Sequence, residues 1–153
     1  MPNLLVAGNS TNGGTAISTD TSGTLNIVTG SGSGATAVTV DGSQNLSFNS
    51  GYGSAAVAYG CRAWVNFNGT GTVAIRASGN VTSITDNGTG SYTVNLTTSL
   101  PDVNGAVLST TDTDTSTQQS VSAQFLSAAS ARVRQYISGS LSDASGVFVA
   151  IFR

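Results

Sequence analysis

Few side chains here are able to do acid–base or nucleophilic chemistry. The 153 residues include no histidine, lysine or glutamate, so all five cations are arginine and all seven acids are aspartate. A serine or cysteine nucleophile needs a neighbouring base to take its proton, and the usual bases are missing. Paired aspartates could serve glycoside hydrolysis. Here Asp86, Asp102, Asp112, Asp114 and Asp143 stand in separate stretches rich in Gly, Ser, Thr and Asn. In such stretches an aspartate is expected to bond its own backbone and make a turn. Cys61 is the only cysteine, which excludes an intrachain disulfide. With no lysine or histidine to activate it, it reads as a small buried thiol. No Cys/His set could hold zinc, and no glycine-rich phosphate loop precedes a helix. The chain therefore reads as a non-enzyme without a cofactor, and no catalytic, cofactor-binding or metal-binding residue is assigned.

Two groups of residues could bind rather than react. Thr111–Gln119 is a polar stretch in which Asp112, Thr113, Asp114 and Thr115 form an exposed contact loop. Its alternate carboxylates could supply oxygen ligands, although the fuller spacing of a calcium loop is missing and a solvated loop has the same composition. Arg132 and Arg134 share one face of a strand and suit an anion, a partner or solvent. The net charge of −2 argues against nucleic acid or an anionic membrane surface as partner. The apolar runs are far too short for membrane insertion by a helix. Met1-Pro2-Asn3-Leu4 lacks the basic and apolar regions of a secretory signal.

Strands must position these residues, because the best surface helix formers, Glu and Lys, are absent while Val, Ile and Thr are plentiful. Only Val121–Ile137 leaves room for a helix. From Cys61 to Leu96, apolar and β-branched runs alternate with Asn-Gly and Gly-rich punctuation, which predicts four consecutive strands joined by tight turns. A two- or four-residue turn at Asn68–Gly71 sets Trp64 opposite Ile75 and Asn66 opposite Val73. Both faces of that hairpin then carry large apolar groups and call for cover by a second sheet or another subunit. Tyr92, Val94 and Leu96 alternate with Thr93 and Asn95, the pattern of a half-buried strand. Further strands are expected at Ala106–Thr110, Ser120–Phe125 and Ala131–Ile137. Val147–Phe152 is apolar on both faces and reads as a central strand or one buried between subunits. The expected core is Trp64, Ile75, Tyr92, Val94, Leu96, Val149 and Ile151.

The first fifty residues contain a repeat. Gly13–Ile27 aligns without gaps on Gly34–Phe48, matching Ile17 with Val38, Asp20 with Asp41, Leu25 with Leu46 and Ile27 with Phe48. Each copy reads as strand, aspartate turn, strand. Their apolar positions are too sparse for a core within one chain, so they could be buried only against copies in neighbouring chains. The alternative is a pair of ordinary hairpins capping the later domain. Asn49–Tyr59, built of Gly, Ser and Ala around two tyrosines, reads as a linker. The expected organisation is a β-repeat region at 1–50, a linker at 51–60 and an antiparallel β-sandwich of jelly-roll-like form at 61–153.

Arg62–Gly71, Val73–Ala77, Ile84–Asn95 and the closing Val147–Arg153 together resemble a β-module of fibre-type structural proteins of tailed bacteriophages. The repeats at 13–48 are similar to the shaft repeats of phage fibres. The resemblance implies an all-β virion surface protein whose repeat shaft intertwines in a homotrimer, made in the host cytoplasm without a signal peptide. Its implied partners are itself, other virion proteins of capsid or tail, and a host-surface glycan or receptor. A short fibre and a decoration protein both fit, as does a capsid cement protein with a purely structural role.

Overall fold

A computed structural model describes residues 23–29, 35–49, 54–112 and 118–153. The described residues hold thirteen strands and no helix, and every strand pairing is antiparallel. The chain divides into two compact units, Met1–Ala58 and Tyr59–Arg153.

In the first unit, β1 (Leu25–Thr29), β2 (Ala35–Val40), β3 (Leu46–Phe48) and β4 (Ala56–Val57) form one sheet in chain order. The second repeat copy is β2, a turn and β3. The matching half of the first copy, including Asp20, lies outside the described residues. Asp41 makes the turn. Its Oδ1 accepts the backbone N–H groups of Ser43 and Asn45, and its Oδ2 accepts Asn45 Nδ2 at 3.0 Å. These donors, Asn45 first, hold the carboxyl below the ordinary aspartate range. The stretch read as a linker at 51–60 supplies β4. Each side chain at 23–28, 36–49 and 54–58 is half-buried or exposed.

The second unit holds two sheets. One runs β6 (Ala74–Gly79), β5 (Cys61–Asn68), β13 (Gly146–Phe152), β9 (Ala106–Asp112). The other runs β10 (Gln119–Ser127), β11 (Ser130–Ile137), β8 (Ser91–Leu96), β7 (Val81–Asp86), with the short β12 (Ser140–Leu141) beside β11. Both sheets feed one core, an arrangement consistent with a β-sandwich. Ala63, Val65 and Phe67 of β5 with Val147, Val149 and Ile151 of β13 meet Tyr92, Val94, Leu96, Ala131 and Val133 from the opposite sheet. The Phe67 and Tyr92 rings pack edge to face across the gap, centroids 5.2 Å apart. Val121–Ile137, the one stretch open to a helical reading, is the β10–β11 hairpin.

The four strands predicted from Cys61 to Leu96 are present as β5 to β8, but they belong to two sheets. Asn80 alone separates β6 from β7, with φ +57°, and the chain changes sheet there. Its Nδ2 donates to the carbonyls of Arg62 and Thr98, and its Oδ1 accepts the Thr98 N–H. Asparagine tolerates this left-handed conformation better than most residues, and its amide secures the corner on both sides.

Candidate functional site

On the exposed face of the β6-β5-β13-β9 sheet, large apolar groups gather outside the core. Alternation along β5 sends Ala63, Val65 and Phe67 inward and Arg62, Trp64, Asn66 and Asn68 outward. The strand register lines up two rows across the sheet. Trp64 lies between Gly79 and Ala150, and Ala150 between Trp64 and Leu108. One step along, Asn66 lies between Ala77 and Phe148, and Phe148 beside Thr110. Trp64 is 45% and Leu108 55% exposed, while Phe148 and Ala150 are half-buried. Together they floor a shallow concavity of about 480 Å³. Such a floor offers aromatic and aliphatic surface and few hydrogen-bonding groups, which suits a protein surface better than a polar small molecule.

Glycine makes the floor possible. The Trp64 indole rests against Gly79, where a Cβ would stand 2.5 Å from Nε1. At the end of the face, Arg76 reaches across β5: Nη1 donates to Asn66 Oδ1 at 3.3 Å and Nη2 to the Ser145 carbonyl at 2.6 Å. Asp112 ends β9 opposite Gly146, and the Ser145 hydroxyl donates to its backbone carbonyl at 3.1 Å.

Two expected core residues are corrected. Trp64 faces outward, and Ile75, 37% exposed, lies opposite Phe67 rather than Trp64. The loop between β5 and β6 spans Gly69–Val73 instead of two or four residues, and a bulge at Asn66/Phe67 shifts the pairing further, so Asn66 faces Ala77 rather than Val73. Ile75 also sits on an edge strand that offers little cover. Tyr92, Val94, Leu96, Val149 and Ile151 are buried as expected. Cys61 is exposed, not buried: it opens β5 next to the bulge at Ile151/Phe152, and its Sγ lies 3.2 Å from the Ala63 carbonyl. Asp112 is exposed, whereas Thr113, Asp114 and Thr115 lie outside the described residues. No group of three metal-ligating side chains occurs among the described residues.

The other sheet presents a polar outer face. Thr85, Thr93, Arg132 and Gln124 form one row, and Ser91, Arg134 and Ser122 the next. Asn95 Nδ2 donates to Ser83 and Thr85 on the neighbouring strand. The two arginines thus share a face, as their spacing predicts. The joining of Trp64 with Leu108 and Phe148 is not foreseen by the sequence. A signal exists in β5 itself, where Trp64 alternates in step with Arg62, Asn66 and Asn68, the polar set that belongs outside.

Compared with protein-family models, curated proteins and solved structures, the chain matches none.

Proposed function

We propose that this chain is a non-enzymatic bacteriophage virion surface protein, a short trimeric fibre or decoration protein. In this reading the N-terminal region attaches to the particle and intertwines with two other copies, and the sandwich projects outward to contact the host surface. The observation that carries it is the state of the first unit. Its four-stranded sheet leaves Ile27, Val28, Leu46, Phe48 and Val57 between 39% and 53% exposed, and no side chain at 23–28, 36–49 or 54–58 is buried. A sheet of this size with no buried face is not stable alone in water. Adding neighbouring copies would cover those apolar groups, as a fibre shaft does. The lack of any histidine, lysine or glutamate supports a binding or structural role over catalysis.

Labelling of intact virions with an antibody to this chain tests the proposal, with light scattering of the purified protein giving the subunit number. Surface label on head or tail and a trimeric mass are expected. Deleting residues 1–33 should abolish incorporation while the sandwich stays folded. Unlabelled virions, or a stably folded monomer at micromolar concentration, would overturn it.

A further inference from the structure

We infer that copies of this chain meet through the outer face of the β6-β5-β13-β9 sheet, packed about an axis running along the strands. Arg76 of one copy then approaches Asp112 of the next. The inference rests on the homo-oligomeric reading above and assigns it a surface in the second unit.

The two edges of the face are complementary to each other. Across the sheet, the first row runs Gly79, Trp64, Ala150, Leu108: small, large, small, large. About a threefold axis along the strands, the β9 edge of one copy comes beside the β6 edge of the next, which sets Leu108 toward Gly79 and the flank of Trp64. Rotation about that axis also leaves the height along the strands unchanged, so the β6 edge of one copy comes to the β9 edge of the next at the same level. The charges obey the same rule. Arg76 starts from edge strand β6, and its Nη2 contact to the Ser145 carbonyl brings the guanidinium to the level of Gly146. Asp112 closes edge strand β9 directly opposite Gly146. The cation and the anion therefore stand at one height and come from opposite edges. Within a chain they do not pair with each other; the ion pair among the described residues is Asp102–Arg153. An aromatic anchor accompanied by an arginine is a composition that protein interfaces favour.

A soluble glycan fits this face less well. Sugar hydroxyls need donors and acceptors, and the floor supplies chiefly Asn66 and Thr110, with Asn66 Oδ1 already accepting from Arg76.

Trp64 is the only tryptophan, so its fluorescence reports on this face alone. In the full chain the emission should be blue-shifted and protected from acrylamide. Leu108→Asp, Arg76→Asp and Asp112→Arg should each expose it and weaken association about tenfold or more, which is at least about 1.4 kcal/mol. Combining Arg76→Asp with Asp112→Arg should restore protection. Circular dichroism melts check that each variant is folded. Because Arg76 also bonds Asn66 and Ser145, Asp112→Arg and Leu108→Asp carry the test if Arg76→Asp fails to fold. An oligomer whose Trp64 is freely quenched overturns this interface and leaves the oligomeric reading standing. A monomer overturns both. Protection that persists through every charge and Leu108 variant, or that arises only when a soluble oligosaccharide is added, means another occupant covers the face and overturns the inference.

Discussion

The indole of Trp64 and the backbone of Gly79 occupy one packing site: a Cβ at residue 79 would stand 2.5 Å from Nε1 and 2.9 Å from Cδ1. The glycine has an ordinary φ, so its role is space rather than conformation. Gly79→Ala should push the ring away from the sheet. Since Trp64 can move toward solvent, the stability cost should stay near the low end for overpacking, about 1 kcal/mol. The same substitution should shift the fluorescence of this single tryptophan. An unchanged spectrum together with an unchanged melting point would show that the ring does not rest there.

Asn80 offers a second local test. It carries the chain from one sheet to the other with φ +57° and commits its amide to bonds with the backbone of Arg62 and Thr98. Asn80→Ala loses those bonds and retains the unfavourable conformation, so it should cost about 1–3 kcal/mol. Asn80→Gly relieves the backbone and loses only the bonds, and should fall between alanine and wild type. Urea titrations of the three proteins give the ranking.

Strand β8 and strand β5 show how far patterning reaches. Tyr92, Val94 and Leu96 alternate with Thr93 and Asn95, so only one face of β8 can enter a core, and it does. Both faces of β5 and β13 carry large apolar groups, so alternation could not decide which face goes inside. The decision rests on Arg62, Asn66 and Asn68, which share the outer side with Trp64, and on a bulge that no short-range pattern announces. The passage between sheets at Asn80 was equally hidden, because asparagine between two strands reads as a hairpin turn. The aspartates were legible for the opposite reason. Asp41, Asp86 and Asp102 each accept the backbone N–H two residues on, a contact local enough to be read from the sequence. Asp143 is the exception: its partners Gly90 and Tyr92 lie more than fifty residues away.

Asp102 links acid stability to Arg153, the residue just after β13. Its Oδ1 and Oδ2 accept Arg153 Nε and Nη2, both at 2.6 Å, and Oδ1 also accepts the Asn104 N–H. These bonds, Arg153 first, hold its carboxyl well below the usual range. A depressed folded value stabilises the folded state above the unfolded aspartate value, about 3.9, and that contribution is lost as pH falls through the folded value. The melting temperature of the wild type should therefore drop below about pH 4, and Asp102→Asn should flatten that limb. Added salt should narrow the difference, since the pair is partly exposed to solvent.

The opposite limb belongs to Tyr92. Its ring is buried against Phe67, and its hydroxyl lies 2.8 Å from Asp143 Oδ1 and 2.8 Å from the Gly69 carbonyl. Asp143 Oδ1 also accepts the Gly90 N–H, and the Gly69 N–H donates to the Ala144 carbonyl. One hydroxyl thus joins the end of β5, the start of β8 and the segment leading into β13. Burial, then the bond to the Asp143 carboxylate and its charge, raise the phenol well above its usual value. A raised folded value stabilises the folded state below the unfolded tyrosine value, about 10, and that contribution disappears as pH rises through the folded value. Tyr92→Phe keeps the ring and removes a bond to a charged acceptor, so at neutral pH it should cost about 1.5–3 kcal/mol. Between about pH 10 and about pH 11 the wild type should lose stability faster than the variant, and the gap between their urea midpoints should narrow. A gap that stays constant across that range would show that the Tyr92 hydroxyl does not bind Asp143 in the folded chain.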